Sequence, residues 1–504
     1  MKRTLRYLAI LSFFLVVILL GLFKIVNFDV GWHLKAGEYI CSHRSIPRQD
    51  MFSYIAQGNK WVDSHWLFQV LLYLSYTLGG AGGGIVLRIL VIGLTFGLLF
   101  LTIYRKEYYH VSVVICLAAL FMAFQRFLLR PEIFTFLFLA LFVYGAENFS
   151  KHPRLSLIVI PVAQALWVNM HGLHVLGIAF LGLYLLGDLV QTLLNRHIPF
   201  VPAIEARPGE WRQKGLLSGL TLFALLINAN GFDGILYPYK IFGELKTKPM
   251  IFSMLTELVS PLSIKQAPFP DPCVIYKIFL PLSALALVLQ IKRLRLAHLL
   301  PCGAFFYLSL LAIRNVPLFA IVATPMTIRN IHGILDFCQK KKFFPATWPV
   351  SPVAGVPLIA LSLWTCVFIA DNGLYHRLHY LRTFGFGISD SYPKEAVDYL
   401  KGRNLAGNIF NSSDIGGYLL WQMYPPKQVA LDGRWEVYGD FLDNLKRLND
   451  PRYFAELTAK YRIEAIILYK RSMEISLMAP WLQISPFWQP ARETDTAIVY
   501  ERVD

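Results

Sequence analysis

Asp29 and His33 stand one helical turn apart just after a long apolar run, and Asp63 and His65 form a second short polar group further on. Later apolar sequence is interrupted by Arg130 and Glu132, by Asn169, His171 and His174, by Asn228 and Asn230, by Glu257, and by Arg314-Asn315. Ionisable and amide groups are costly beside such segments, so each needs a reason. Taken singly, the usual reason is a helix end that meets water. As a set of Asp, His, Arg and Asn, they look like a site lined by polar groups at a membrane boundary. A carboxylate there can take a proton from an incoming nucleophile or hold a divalent cation. Arginine and histidine suit the oxygens of a lipid phosphate. A base with a phosphate clamp fits transfer of a group from a lipid-phosphate carrier, and it suits movement of an anionic solute equally well.

The elements that must position these residues are set by composition. Of 504 residues, 56% are hydrophobic and 16% charged, well under the roughly one quarter charged in a soluble domain. The chain reads as a polytopic membrane protein. A basic amino end runs into an apolar stretch from Leu5 to Val26, with no small-residue cleavage site after it, so we expect an uncleaved first span. Further spans are expected at 84–104, 110–128, 132–147, 155–169, 174–194, 216–230, 274–291, 297–313, 316–330 and 351–370. Residues 66–79 are apolar but short, and the charges decide their place. With this segment lying along the surface, the inner loops with the span ends beside them hold 18 basic and 5 acidic residues and the longer outer loops with theirs 14 and 9. Counting it as a span inverts that bias, against the positive-inside rule. The expectation is eleven spans, amino end inside and carboxyl end outside. Every candidate residue named above then falls on the outer face.

The net charge of +16 has the same origin. From Asp371 onward the chain holds 16 basic and 17 acidic residues, so the whole excess lies in the hydrophobic part. A nucleic-acid surface needs a contiguous basic face, and none is visible; no nucleic-acid partner is expected. Cys41, Cys116, Cys273, Cys302, Cys338 and Cys366 form no CxxC pair and read as apolar filler. Asp188 lies toward the inner end of its span, near Arg196, and reads as a structural ion pair.

The expected domains are a transmembrane part, 1–370, and an outer α/β domain, 371–504. The first outer loop, 27–83, is expected to carry surface helices. In the tail, short apolar runs at 407–410, 429–431, 465–469 and 497–500 alternate with helical stretches at 394–402, 415–423 and 439–460. Asn411 to Tyr418 reads as a βα turn with Asp414 capping the helix, and Arg434 as the partner of a neighbouring acid.

An amino-terminal span, an Asp soon after it, an outer loop with surface helices, and a Gly-rich turn (Gly79 to Gly84) leading through Leu87-Arg88 into the next span resemble the GT-C superfamily of polytopic glycosyltransferases. That group includes protein mannosyltransferases, aminoarabinose transferases and oligosaccharyltransferase catalytic subunits. A closer likeness, over most of the chain, is to a group of bacterial membrane proteins of this type. The phrases that carry it are Asp29-Val30-Gly31-Trp32-His33-Leu34, Ile46-Pro47-Arg48-Gln49-Asp50-Met51-Phe52-Ser53, Trp61-Val62-Asp63-Ser64-His65-Trp66-Leu67, Arg130-Pro131-Glu132, Trp167-Val168-Asn169-Met170-His171-Gly172, Arg314-Asn315-Val316-Pro317 and Leu431-Asp432-Gly433-Arg434.

The resemblance implies a mainly α, GT-C-like membrane helix bundle with a small carboxyl-terminal α/β domain, in a bacterial inner membrane with that domain periplasmic or extracellular. It implies a membrane glycosyltransferase that takes a sugar from a polyprenyl-phosphate donor to an acceptor on the outer face. Asp29 matches the first-loop acid, as base or as ligand of a divalent cation (Mg or Mn). His33, Asp63, His65, Arg130, Asn169, His171, Arg314 and Asn315 are the expected substrate-binding residues. The superfamily often carries two acids close together in this loop, whereas Asp29 stands alone. Two other readings stay open: a transporter or flippase of a lipid-linked or anionic solute, and a non-catalytic scaffold for envelope polysaccharide assembly.

Overall fold

The computed structural model describes residues 2–195, 209–247, 256–342 and 355–503. The basic stretch 196–208, part of the long loop 231–272 and the start of the expected span 351–370 lie outside them. The chain divides into two compact units. One is helical: Met1–Phe23, Ile85–Ile235 and Leu255–Phe386. The other joins the first loop to the tail: Lys24–Gly84, Leu236–Met254 and Gly387–Asp504.

In the helical unit each expected span coincides with a helix. Among the described residues six helices are long and apolar enough to cross a membrane: Arg3–Gly21, Trp66–Ile103, Lys106–Arg126, Gly172–Leu194, Pro272–Leu289 and Ile313–Lys340. Pro153–Trp167, Leu296–Leu311 and Gly355–Ala370 are apolar but shorter. Eleven spans are therefore more than length and composition establish. Helices are the expected solution, because in hydrocarbon every backbone N–H and C=O must be satisfied within its own segment. The chain is a multi-pass membrane protein.

Two buried arginines hold helix ends in this unit. Arg88, fully buried, donates from Nε to the carbonyl of Gly21 at 2.9 Å and through a second nitrogen to Phe23. Arg382 donates to the carbonyls of Phe124, at 2.8 Å, and Gln125. A cation at a helix carboxyl end answers both the open carbonyls and the helix dipole. Asp188 is a structural carboxylate as expected. Its partners are Lys214 at 2.9 Å and Arg295 at 3.1 Å; Arg196 lies outside the described residues.

The apolar run from Trp66 ends in a break. Gly79 and Gly80 leave helical geometry, Gly80 with a φ of 56° that a side chain would resist. The short segment before them is thus a helix distinct from the one that follows.

In the loop–tail unit a four-stranded sheet has the order β1-β2-β4-β3: β1 Asn408–Asn411, β2 Ile463–Tyr469, β3 Trp488–Glu493 and β4 Ala497–Arg502. β1 and β2 are parallel, and β4 is antiparallel to both β2 and β3. β2 is almost wholly buried, as its unbroken apolar run requires. β3 escapes sequence reading because Gln489, Pro490, Arg492 and Glu493 give it an exposed, polar edge. The run at 429–431 forms no strand. Val429 makes an isolated bridge with Ser53 of the first loop instead. The expected helix at 439–460 is three pieces, Asp440–Asp443, Leu445–Asn449 and Pro451–Tyr461, the last started by Pro451 and capped by Asp450. The βα turn after β1 is present, with Ile415, which has no capping side chain, before the helix Gly416–Met423; Glu474 and Ser472 bind the turn at Ser413 and Ser412.

Candidate functional site

The candidate residues divide between the units. Asp29, His33, Asp63 and His65 belong to the loop–tail unit, and Arg130, Asn169, His171, Arg314 and Asn315 to the helical unit.

In the loop–tail unit, Asp29 precedes the helix Val30–His43 and its side chain caps no backbone N–H. Trp32, one turn on, donates its indole N–H to Asp29 Oδ1 at 3.4 Å. The tail reaches this carboxylate through Gly433: a Cβ there would lie 2.2 Å from Asp29 Oδ1. Only glycine leaves the carboxylate where it is. The helix itself is held as closely, since a Cβ on Gly31 would lie 2.0 Å from the carbonyl oxygen of Gly417. The phrases around Asp29 and Gly433, far apart in sequence, therefore build one place.

Trp32 is followed by two histidines that pack near its ring, and a second carboxylate holds one of them. The His33 ring lies 3.5 Å from that of Trp32, 5.9 Å from His65 and 5.0 Å from Phe68, centroid to centroid. Asp63 is fully buried; its Oδ1 accepts from the His65 backbone N–H at 3.1 Å and from Gln69 Nε2 at 2.9 Å. Burial pushes the Asp63 carboxyl up to about 7, with Glu436 adding to the rise. The same loss of solvent pushes His65 down to about 4 and Glu436 up to about 6. At neutral pH His65 is thus a neutral imidazole, with one donor and one acceptor nitrogen.

The platform under this group is an ion cluster. Arg434 Nη1 meets Asp50 Oδ1 at 2.6 Å and Arg434 Nη2 meets Asp432 Oδ2 at 2.5 Å, with all three side chains fully buried. The guanidinium also lies over Trp61 at 4.8 Å and Phe52 at 5.0 Å. Asp50 accepts the backbone N–H groups of Phe52 and Ser53 as well. The reading of Arg434 as an acid's partner holds, and the second acid comes from the first loop.

In the helical unit a charged cluster collects Arg126, Glu132, Glu257 and Arg314. Arg126 Nε donates to Glu132 at 2.9 Å, and another of its nitrogens pairs with Glu257. Arg314 meets Glu257 at 3.3 Å and is 28% exposed, the most open of the four. Burial alone would raise the Glu257 carboxyl, but Arg126, Arg314 and Arg130 outweigh it and hold it at about 2. Arg126 was not among the expected site residues. Its signal was an ionisable group inside an apolar run, one turn before Arg130.

The remaining residues are placed as follows. His171 Nδ1 bonds Thr135 Oγ1 at 2.7 Å, and Trp167 donates to the same hydroxyl at 3.0 Å. Asn169 donates to the carbonyls of Ala165 and Ile227 and accepts from the N–H of Ala229, which fixes the turn at 227–229. Asn315 donates to the carbonyl of Leu308 at 2.8 Å.

Among the described residues no three His, Cys, Asp or Glu side chains gather as ligands for a metal ion. Asp50 and Asp432 are taken by Arg434, and Asp63 by N–H donors. No step below is routed through a divalent cation.

No protein-family profile matches the chain, and no curated protein matches it. Solved structures do. An archaeal oligosaccharyltransferase, AglB from Archaeoglobus fulgidus, in complex with an inhibitory peptide and a dolichol-phosphate, aligns with a TM-score of 0.55 at 12% identity, over 95% of this chain and 71% of that one. The Archaeoglobus fulgidus oligosaccharyltransferase tethered to an acceptor peptide with the NVT sequon gives 0.57 at 12% identity, over 99% and 74%. ArnT from Cupriavidus metallidurans in the apo state gives 0.51 at 12% identity, over 97% and 96%. These neighbours are GT-C membrane glycosyltransferases. At such identity the likeness is one of fold: the chain has a GT-C-type fold, mainly helical, with a small carboxyl-terminal sheet.

Proposed function

We propose that this protein is a membrane glycosyltransferase that moves a sugar from a polyprenyl-phosphate donor to an acceptor on the outer face of a bacterial inner membrane. The observation that carries the reading is the Asp29 carboxylate, set after the first apolar helix of a GT-C-type fold and kept clear by Gly433.

In the reaction the acceptor attacks the anomeric carbon, the carbon–oxygen bond to the phosphate breaks, and the acceptor's proton passes to Asp29. The lipid leaves as polyprenyl phosphate. Trp32 orients the carboxylate through its indole N–H, and the neutral His65 ring stands 6.3 Å from Trp32. In the helical unit Arg314, the most exposed cation of its own cluster, has the fork of donors that pairs with phosphate oxygens. AglB's complex with dolichol-phosphate supports a lipid-phosphate donor.

The test uses membranes containing the full chain, a panel of synthetic polyprenyl-phosphate monosaccharides, and release of polyprenyl phosphate as readout. Wild type should release it from at least one donor, and Asp29→Asn should lose nearly all turnover at unchanged protein level. Undiminished release in that variant would falsify the role of Asp29. Passage of labelled donor across sealed vesicles without covalent change would favour a transporter.

A further inference from the structure

A second basic site lies in the helical unit, at the end opposite Arg126 and Arg314. The helix Tyr109–Ala123 runs from beside Arg105 to beside Arg126, and the helix Val316–Lys340 runs from Arg314 past Asp336. Fifteen residues at the helical rise separate those ends by ~20 Å. There a cavity of about 270 Å³ is lined by Arg105, Arg293, Arg295, Arg329, Asn330 and His332, and by one acid, Asp336.

The charges around it do not cancel. Arg105 meets Asp336 at 3.0 Å, Arg295 meets Asp188 at 3.1 Å, and Arg329 pairs with Glu147. Among the described residues Arg293 makes no ion pair and no side-chain hydrogen bond. Two more polar groups are unsatisfied. His332 is 3% exposed and stacks on Tyr108 at 5.2 Å, yet among the described residues its Nε2 has no hydrogen-bond partner, and the Asn330 Nδ2 has none either. Buried polar atoms without partners are rare enough to need an explanation.

The unfilled capacity is of one kind. Guanidinium and carboxamide nitrogens only donate, and His332 Nε2 donates in one neutral tautomer and in the charged ring. A ligand that accepts from all three and also balances the charge of Arg293 is an anion. The volume sits just under the range of about 300–1,000 Å³ that holds drug-sized ligands, so a small anionic head fits better than a whole nucleotide. Fork-shaped donors match phosphate oxygens, and basic pockets between membrane helices hold lipid head groups.

We propose that this cavity binds a phosphate group through Arg293, Asn330 and His332. The phosphate comes either from the head group of an anionic phospholipid or from a soluble phosphate. The site is separate from the transferase reading and does not depend on it.

Two measurements on the purified full chain distinguish the sources. In neutral detergent, inorganic phosphate is titrated at constant ionic strength and thermal unfolding is followed. In phosphatidylcholine vesicles with or without phosphatidylglycerol, the lipid retained on extraction is identified by mass spectrometry. Saturable protection by phosphate assigns a soluble ligand; retention of phosphatidylglycerol without a phosphate response assigns a lipid head group. In either case Arg293→Gln should weaken binding at least fivefold, and His332→Gln should do the same. Lys106→Gln, on a neighbouring cation that does not line the cavity, should leave it unchanged. The exposed position of Arg293 lets that variant decide the matter should the buried His332→Gln fail to fold. Binding of neither probe, unaltered binding by Arg293→Gln, or equal weakening by Lys106→Gln overturns the proposal.

Discussion

Arg434 and Asp50, 384 residues apart in the chain, meet at 2.6 Å with both side chains out of solvent. This ion pair ties the first loop to the tail inside one unit. Arg434 also directly follows Gly433, where a Cβ would lie 2.2 Å from Asp29 Oδ1.

Removing the cation should be far worse than removing one acid. Arg434→Met strands the buried Asp50 and Asp432 charges, a loss on the order of 3–5 kcal/mol. Asp50→Asn keeps the Asp432 pair, so its loss should be smaller. Denaturant unfolding of the full chain, followed by tryptophan emission, checks the ranking.

Gly433→Ala should harm turnover more than stability. The new methyl would meet the end of a movable side chain, Asp29 Oδ1, with Trp32 Nε1 next at 3.3 Å. The carboxylate can swing aside at small cost to folding, but a shift of about 1 Å at the reacting group can cost on the order of a hundredfold in rate. The expected result is a loss of tenfold or more in polyprenyl-phosphate release with an unfolding midpoint close to wild type.

Asp63 and His65 should oppose each other in the pH dependence of stability. The folded Asp63 carboxyl is raised to about 7, so the native state binds its proton more tightly and stability from this group falls as pH rises from about 4 to 7. The folded His65 is lowered to about 4, so the unfolded state binds its proton more tightly and stability from this group rises from about pH 4 to 6.5. Wild type should be nearly flat over their shared range, apart from Glu436, which acts in the same sense as Asp63. In Asp63→Asn the His65 contribution stands uncovered, and stability should climb between pH 4 and 6.5. An unchanged profile in that variant contradicts the raised Asp63.

Glu257 carries the opposite dependence in the helical unit. The arginines around it hold it at about 2, so its contribution is complete above its ordinary range near 4.5 and is lost as pH falls toward 2. Glu257→Gln should lower stability at neutral pH, weaken the hold on Arg126 and Arg314, and flatten the acid limb. Acid unfolding in detergent at fixed ionic strength checks this.

Much was legible in the sequence because it follows from local rules. Apolar runs near bilayer length fixed where the membrane helices lie, since hydrocarbon leaves the backbone no other way to satisfy its hydrogen bonds. Gly79 and Gly80 marked the break before Leu87-Arg88, and the apolar runs at 465–469 and 497–500 marked the sheet's inner strands. The polar strand β3 carries no signal in the sequence, and the apolar run at 429–431 forms no strand. One is an edge without an apolar pattern, and the other pairs with Ser53 across hundreds of residues.

Residue types alone determined that this is a multi-pass membrane chain and that Asp29, the histidines and the arginines needed explaining. Tertiary structure alone decided their company: Gly433 against Asp29, Asp50 on Arg434, Glu257 between Arg126 and Arg314, and a histidine with an unfilled nitrogen in a basic cavity. The reason is physical. Helix formation and bilayer insertion depend on neighbours a few residues away. The state of a charge depends on whichever distant groups replace its water, and no periodicity in a single sequence records that.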